Sequence, residues 1–161
     1  MNDYPSPPKK IPTGNTLRAL GFALLAKKEY SKTDLKQKLL AYGAAFDEVE
    51  TLVEELAQQN YQSDERMAGM LLRSQIRQGR GPARIKQALK KHDIDLDLAQ
   101  QEYDEVDWFE QALNLKIKKF GTEVITDPKQ KAKQIRFLQY RGFSMDIIMK
   151  VVNYKGEEDF Y

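Results

Sequence analysis

The side chains able to do chemistry in this chain are mostly charged, and their arrangement suits holding anions better than breaking bonds. The chain has no cysteine and one histidine, His92, which excludes disulfides, thiolate catalysis, Cys-ligated metals and a multi-imidazole metal centre. His92 reads as a surface residue at a helix end. The neighbouring carboxylates Glu54 and Glu55, and Asp104 and Glu105, fall on exposed helix faces with no nucleophile beside them. A general acid and base pair needs convergent placement in a cleft, so these acids read as solvating groups. GRGPARI at 79–85 has two glycines but lacks the Lys-Ser/Thr that completes a phosphate-binding loop, and neither HExxH nor GxSxG occurs. The expectation is a protein that is not an enzyme and needs neither metal nor cofactor.

Two physical uses remain for GRGPARI. Gly79 and Gly81 let the chain reverse, Pro82 can occupy the first position of a helix at no cost, and Arg80 and Arg84 flank the positive end of that helix. The corner is either anion-facing or a closely specified helix-helix turn. Charge along the chain is laid out in blocks. Arg66, Arg73, Arg77, Arg80, Arg84, Lys86, Lys90 and Lys91 form a run with no acid among them, and residues 92–110 then hold eight acids with no Lys or Arg. Residues 116–141 return to eight basic residues against Glu123 and Asp127. With a net charge of only +2, such blocks create local fields that attract an anionic partner to one face, unless they neutralise one another across helix contacts.

The elements that must position these residues read as helices throughout. LLAYGAAFD (39–47), LKKHDIDLD (89–97) and LQYRGFSMD (138–146) superimpose, with spacings of 50 and 49 residues. Each closes an amphipathic run, breaks four residues later at Gly43, Asp93 or Gly142, and restarts at Asp47, Asp97 or Asp146, which read as N-caps. A period of this size marks a helical repeat array. The spacing predicts a first helix over Leu17–Lys28, a second over Lys32–Tyr42 after Ser31, and a third after Asp47. The second unit opens with Ser63 or Asp64 as cap, and the third with Asp107 ahead of Trp108 and Phe109. GTEVITD at 121–127, the one strand-like piece, reads as a loop. Trp108, Phe109, Phe137 and Phe143 fall on apolar faces and read as core, whereas Tyr140 and Tyr42 suit partner contact. The fold class is all-α: three tandem three-helix repeats in an elongated, curved array. Repeat 1 covers residues 16–62, repeat 2 residues 63–106 and repeat 3 residues 107–154, with a disordered tail over 1–15 and a C-terminal tail over 155–161.

With 41% hydrophobic and 31% charged residues the composition is that of a soluble globular protein. No run of about 18 apolar residues occurs to span a membrane. The N-terminal stretch has no apolar segment of the secretory kind, so the cytoplasm is the expected compartment.

The segments LLAKKEYSKTDLKQKLLAYG, SDERMA, RQGRGPARIKQALKKHDI and KQIRFLQYRGFSMDII together resemble the RecX regulatory proteins, modulators of the RecA recombinase, over about residues 16–153. The motif positions are Lys28, Glu29, Ser31 and Leu35 in repeat 1, Asp64, Arg77, Gly79, Gly81, Pro82, Arg84 and Ile85 in repeat 2, and Arg136, Phe137, Leu138, Arg141, Gly142, Phe143, Ser144 and Asp146 in repeat 3. Two departures stand out: His92, Asp93 and Ile94 replace the usual basic residue, Gly and Ile, and Met67 replaces a Phe.

The resemblance implies three tandem three-helix units and a non-catalytic partner of the RecA nucleoprotein filament. It implies inhibition of the filament's ATPase, strand-exchange and coprotease activities, and hence a role in recombination, DNA repair and the SOS response. The expected contacts are Arg73, Arg77, Arg80 and Arg84 in repeat 2 and Lys133, Arg136 and Arg141 in repeat 3, reaching the RecA filament and single-stranded DNA within it. A monomer without membrane association is expected. The alternative is a helical protein that binds single-stranded nucleic acid directly, through the basic blocks.

Overall fold

A computed structural model describes residues 10–156. Among the described residues there are nine α-helices and no strand, and residues 121–127 form a loop, as their pattern predicts. The tail expected over 1–15 lies outside the described residues as far as residue 9, and that over 155–161 from residue 157 onward. The chain divides into two compact units, Met1–Met67 and Ala68–Tyr161.

In the first unit α1 (Gly14–Lys27), α2 (Lys32–Ala41) and α3 (Phe46–Gln58) enclose Leu17, Leu24, Leu35, Leu39, Val49, Leu52, Val53 and Leu56. The helix α1 begins at Gly14, ahead of the expected Leu17. No local side chain caps it; instead Glu48 of α3 accepts from Thr13 Oγ1 at 2.6 Å and from the Gly14 N–H at 3.2 Å through the same carboxylate oxygen. A donor left over at a helix start is thus satisfied by a side chain distant in sequence. Ser31 caps α2 by accepting from the Asp34 N–H at 3.0 Å. At the start of α4 (Asp64–Arg77), Ser63 accepts from the Arg66 N–H, which frees Asp64 to accept from the Lys32 N–H at 2.8 Å and from buried Gln62. Arg66 pairs with Glu29 at 2.9 Å, so the motif residues Glu29 and Asp64 serve here to tie the chain on either side of α2 and α3.

The second unit continues from α4 into α5 (Pro82–Lys91), a 3-10 turn (Leu96–Ala99), α6 (Gln100–Asp104), α7 (Trp108–Phe120), α8 (Pro128–Tyr140) and α9 (Met145–Val152). Helices α7, α8 and α9 close on Ala112, Leu138, Phe143, Ile148, Val151 and Val152, with Trp108, Phe109 and Phe137 packed against that cluster. The loop 121–127 is pinned from inside by Lys116. Its side chain is 1% exposed, its Nζ donates to the carbonyls of Gly121 and Glu123 at 2.9 and 3.0 Å, and burial pulls its pKa below the ordinary lysine value. Lys116 therefore leaves the basic surface block to which its sequence position assigns it.

The repeat is reproduced at atomic detail. Gly43, Asp93 and Gly142 all have positive φ, of 91°, 55° and 98°, and their amides donate to Leu40, Lys90 and Gln139. In repeats 2 and 3 the next amides, Ile94 and Phe143, reach back to Leu89 and Leu138, completing a Schellman-type stop. Asp93 takes the left-handed conformation that glycine takes elsewhere, which costs about 1 kcal/mol. The N-cap expectation is corrected by the same shift in all three repeats. The caps are Ala45, Asp95 and Ser144, while Asp47, Asp97 and Asp146 sit two residues later inside the first turn, where a carboxylate complements the helix dipole.

Candidate binding surface

The GRGPARI turn meets the RGF turn of the following repeat through main chain. The Gly81 N–H donates to the Arg141 carbonyl at 2.7 Å and the Ala83 N–H donates to the Gly142 carbonyl at 3.0 Å. Two arginines cross this joint in opposite directions. Arg84 Nε donates to the Tyr140 carbonyl at 2.9 Å, and Arg141 Nη1 donates to the Gln78 carbonyl at 2.9 Å. Each guanidinium therefore satisfies a carbonyl at the end of a helix in the other repeat. Of the two readings of this corner, the closely specified turn describes its main chain: the Ala83 amide, a first-turn donor of α5, is engaged by a carbonyl and unavailable to an external anion.

Side chains around the joint are cationic. One groove of about 450 Å³ is lined by Arg80, Arg84, Phe137, Tyr140 and Arg141. A second of the same volume is lined by Arg77, Gln78, Gly79, Leu115, Lys118, Lys119, Phe137 and Arg141. The two share Phe137 and Arg141, and neither has a carboxylate in its lining. Among the described residues none of these arginines and lysines is in an ion pair. The rings between them are covered by cations: Arg84 Cζ is 4.5 Å from the Tyr140 ring centre, and Lys119 Nζ and Arg141 Cζ are 4.6 and 5.3 Å from that of Phe137. Arg80 is steadied by Gln75, whose Oε1 accepts from Nη1 at 3.1 Å.

Of the residues expected from sequence, Arg77, Arg80, Arg84 and Arg141 come together here. Arg73 does not: its Nη1 is 2.6 Å from Glu102 in an ion pair with the acidic block. Lys133 and Arg136 are exposed on α8 and line neither groove. Sequence reasoning missed Lys118 and Lys119 as individual members and assigned Phe137 to the core alone. The signal present was the double lysine in the last turn of α7, but its adjacency to Arg141 depends on how α7 packs.

Residues 63–101 match the pattern described as RecX, second three-helix domain, and residues 105–152 match RecX, third three-helix domain. Regulatory protein RecX of Acinetobacter baylyi is 58% identical over 146 residues, covering 91% of this chain and 92% of its own length. The chain belongs to the RecX family. Regulatory protein RecX of Acidithiobacillus ferrooxidans is 37% identical over 142 residues, covering 88% of this chain and 92% of its own. The crystal structure of RecX from Lactobacillus salivarius superimposes with a TM-score of 0.75 at 19% identity, over 91% of this chain and 97% of that one. A second crystal structure of regulatory protein RecX gives 0.71 at 20% identity, over 87% and 75%. These two likenesses carry the fold: an all-α architecture of RecX three-helix domains. The grooves draw Arg77, Arg80 and Arg84 from the second RecX domain and Lys118, Lys119, Phe137, Tyr140 and Arg141 from the third.

Proposed function

We propose that this protein binds the RecA nucleoprotein filament in the cytoplasm and lowers its ATPase, strand-exchange and coprotease activities, limiting recombination and the SOS response without catalysis of its own. Family membership supports a regulatory role. The observation that supports a binding site is the pair of adjoining grooves with six cations, Arg77, Arg80, Arg84, Lys118, Lys119 and Arg141, and no carboxylate in their lining. Cations with no ion-pair partner among the described residues keep their field for an incoming anionic surface. Tandem helical repeats can touch more than one subunit of a polymer, and contacts spread along it raise one another's effective concentration.

The test is the ATPase of the host recombinase on single-stranded DNA, with this protein added at substoichiometric amounts. A fall in ATPase is expected, and an unchanged rate overturns the proposal. A parallel titration of labelled single-stranded DNA without recombinase, at two salt concentrations, separates the alternative. Tight binding with a log-log salt slope of about −0.7 per neutralised phosphate, together with an unaffected ATPase, would establish a direct nucleic-acid binder instead.

A further inference from the structure

The paired grooves narrow the chemistry of what they hold. Nucleic acid read in single-stranded form needs open aromatic faces on which bases stack. Here the ring of Phe137 already has Lys119 and Arg141 over it, which leaves Tyr140, 75% exposed with Arg84 over one face, as the one open ring in the lining of the two grooves, too few for successive bases to stack. The chain as a whole carries only +2, with eight acids between residues 93 and 110, so it lacks the broad positive field that gathers a polyanion from a distance. The cationic feature is local instead, two grooves of about 450 Å³ each meeting at one arginine.

The guanidinium groups are set in a manner that suits carboxylates. Arg84 and Arg141 each have one nitrogen tied to a main-chain carbonyl, and Arg80 is tied to Gln75. Their planes are therefore fixed while further N–H groups stay available for a planar, two-oxygen acceptor. Leu115 and Phe137 add apolar lining between the cations. An extended segment alternating acidic and apolar side chains matches this surface: carboxylates at Arg80, Arg84 and Arg141, an apolar side chain over Leu115, and further attraction from Arg77 and the Lys118–Lys119 pair.

Resting on the reading that the partner is a protein filament, we infer that the double groove at the junction of the second and third RecX domains is the docking site for a short acidic segment of a protein partner. Arg84 and Arg141, oriented by their main-chain bonds, and Arg80, held by Gln75, present their remaining N–H groups to its carboxylates, and Arg77, Lys118 and Lys119 add the charges that draw it in.

Fluorescence anisotropy on the full chain tests this without any recombinase. The probes are a labelled peptide of alternating Glu and Leu and a labelled oligothymidylate of equal charge. The peptide is expected to bind about tenfold more tightly than the oligothymidylate at the same salt. Charge reversal at Lys118→Glu with Lys119→Glu, or removal at Arg77→Ala with Arg80→Ala, is expected to weaken the peptide by about tenfold or more with unchanged circular dichroism. Equal or tighter oligothymidylate binding overturns the inference, as does peptide binding that neither double variant alters. Recombinase inhibition that persists in a protein unable to bind the peptide removes the acidic segment and leaves the proposed function standing. A wild-type protein that binds the peptide yet never inhibits a recombinase removes the proposed function and keeps the groove.

Discussion

Gly81 and Arg141 are joined by a 2.7 Å hydrogen bond from amide to carbonyl, and this contact between two turns sixty residues apart in sequence sets the candidate surface. Glycine at 81 and at 142 is what lets the turns come so close. A Cβ on Gly81 would lie 2.8 Å from the Gly142 carbonyl carbon and 2.8 Å from Phe143 Cδ1, and one on Gly142 would lie 2.7 Å from Arg84 Cγ and 2.8 Å from Arg84 N.

Gly142→Ala is therefore expected to destabilise the second unit by about 2 kcal/mol or more, since it adds overlap with backbone to the strain of φ +98°. Gly81→Ala meets backbone and a buried ring without the positive φ, and its cost is expected to be about 1–3 kcal/mol. Urea unfolding followed at Trp108 measures both; a midpoint equal to wild type for both variants would contradict the interlock.

Arg73 and Arg77 lie on the same helix, yet their substitutions should differ. Arg77→Ala with Arg80→Ala is expected to raise the concentration needed for half-inhibition of the recombinase ATPase by about tenfold. Arg73→Ala should change it by less than about twofold, because Arg73 is already paired with Glu102. Lys133→Ala with Arg136→Ala, outside both grooves, should resemble Arg73→Ala. Equal losses from all three variants would move the binding surface elsewhere.

Lys116 offers a stability signature in pH. Its folded pKa lies below the ordinary lysine value of 10.5 because burial disfavours the ammonium. A folded state that holds the proton less tightly than the unfolded chain gains stability as pH rises through the interval up to 10.5, and loses that gain as pH falls through the folded pKa. Lys116→Met leaves the Gly121 and Glu123 carbonyls without their donor and is expected to cost about 1–3 kcal/mol. The stability gap between wild type and Lys116→Met should widen between neutral pH and pH 10.5, as read from denaturant midpoints; a gap that narrows would contradict the assignment.

Glu48 holds the start of α1, and its pKa lies below the ordinary 4.5 through its hydrogen bonds to Thr13 and Gly14. The stabilisation is present above pH 4.5 and lost as pH falls through the lower, folded value. Amide exchange at Leu17, whose N–H donates to the Thr13 carbonyl, should accelerate in Glu48→Ala at neutral pH while exchange at Val53 stays slow. Unchanged protection at Leu17 would show that α1 needs no help from α3.

The pattern of apolar residues and stops is enough to place the starts of α2, α4, α5 and α7 within a residue of those observed, because amphipathic spacing and helix stops act within a few residues. Ser31, Ser63 and Asp107 cap as expected, and only the cap of the last helix in each repeat differs, by two positions, for a local reason: Asp47, Asp97 and Asp146 are favourable both as caps and in the first turn, and their side chains do not announce which. The early start of α1 has no local signal, because its stabilising group, Glu48, comes from another helix.

Among the site residues, Arg77, Arg80, Arg84 and Arg141 were legible as positive charge in a turn motif. Their division of labour was not. Nothing local distinguishes Arg73, neutralised by Glu102, from Arg77, which lines a groove, since the distinction depends on a residue about thirty positions away. Lys116, Lys118 and Lys119 occupy one short stretch, yet one is buried beneath a loop and two flank Arg141.

By itself the sequence determined the all-α class, the repeat and its period, and the stock of cations in its basic blocks, all of which follow from short-range periodicity and composition. The tertiary structure alone decided which cations share a groove, which is paired and which is buried. Those outcomes depend on two turns approaching close enough for main-chain hydrogen bonds, a distance set by packing between helices remote in sequence and not by the residues along any one of them.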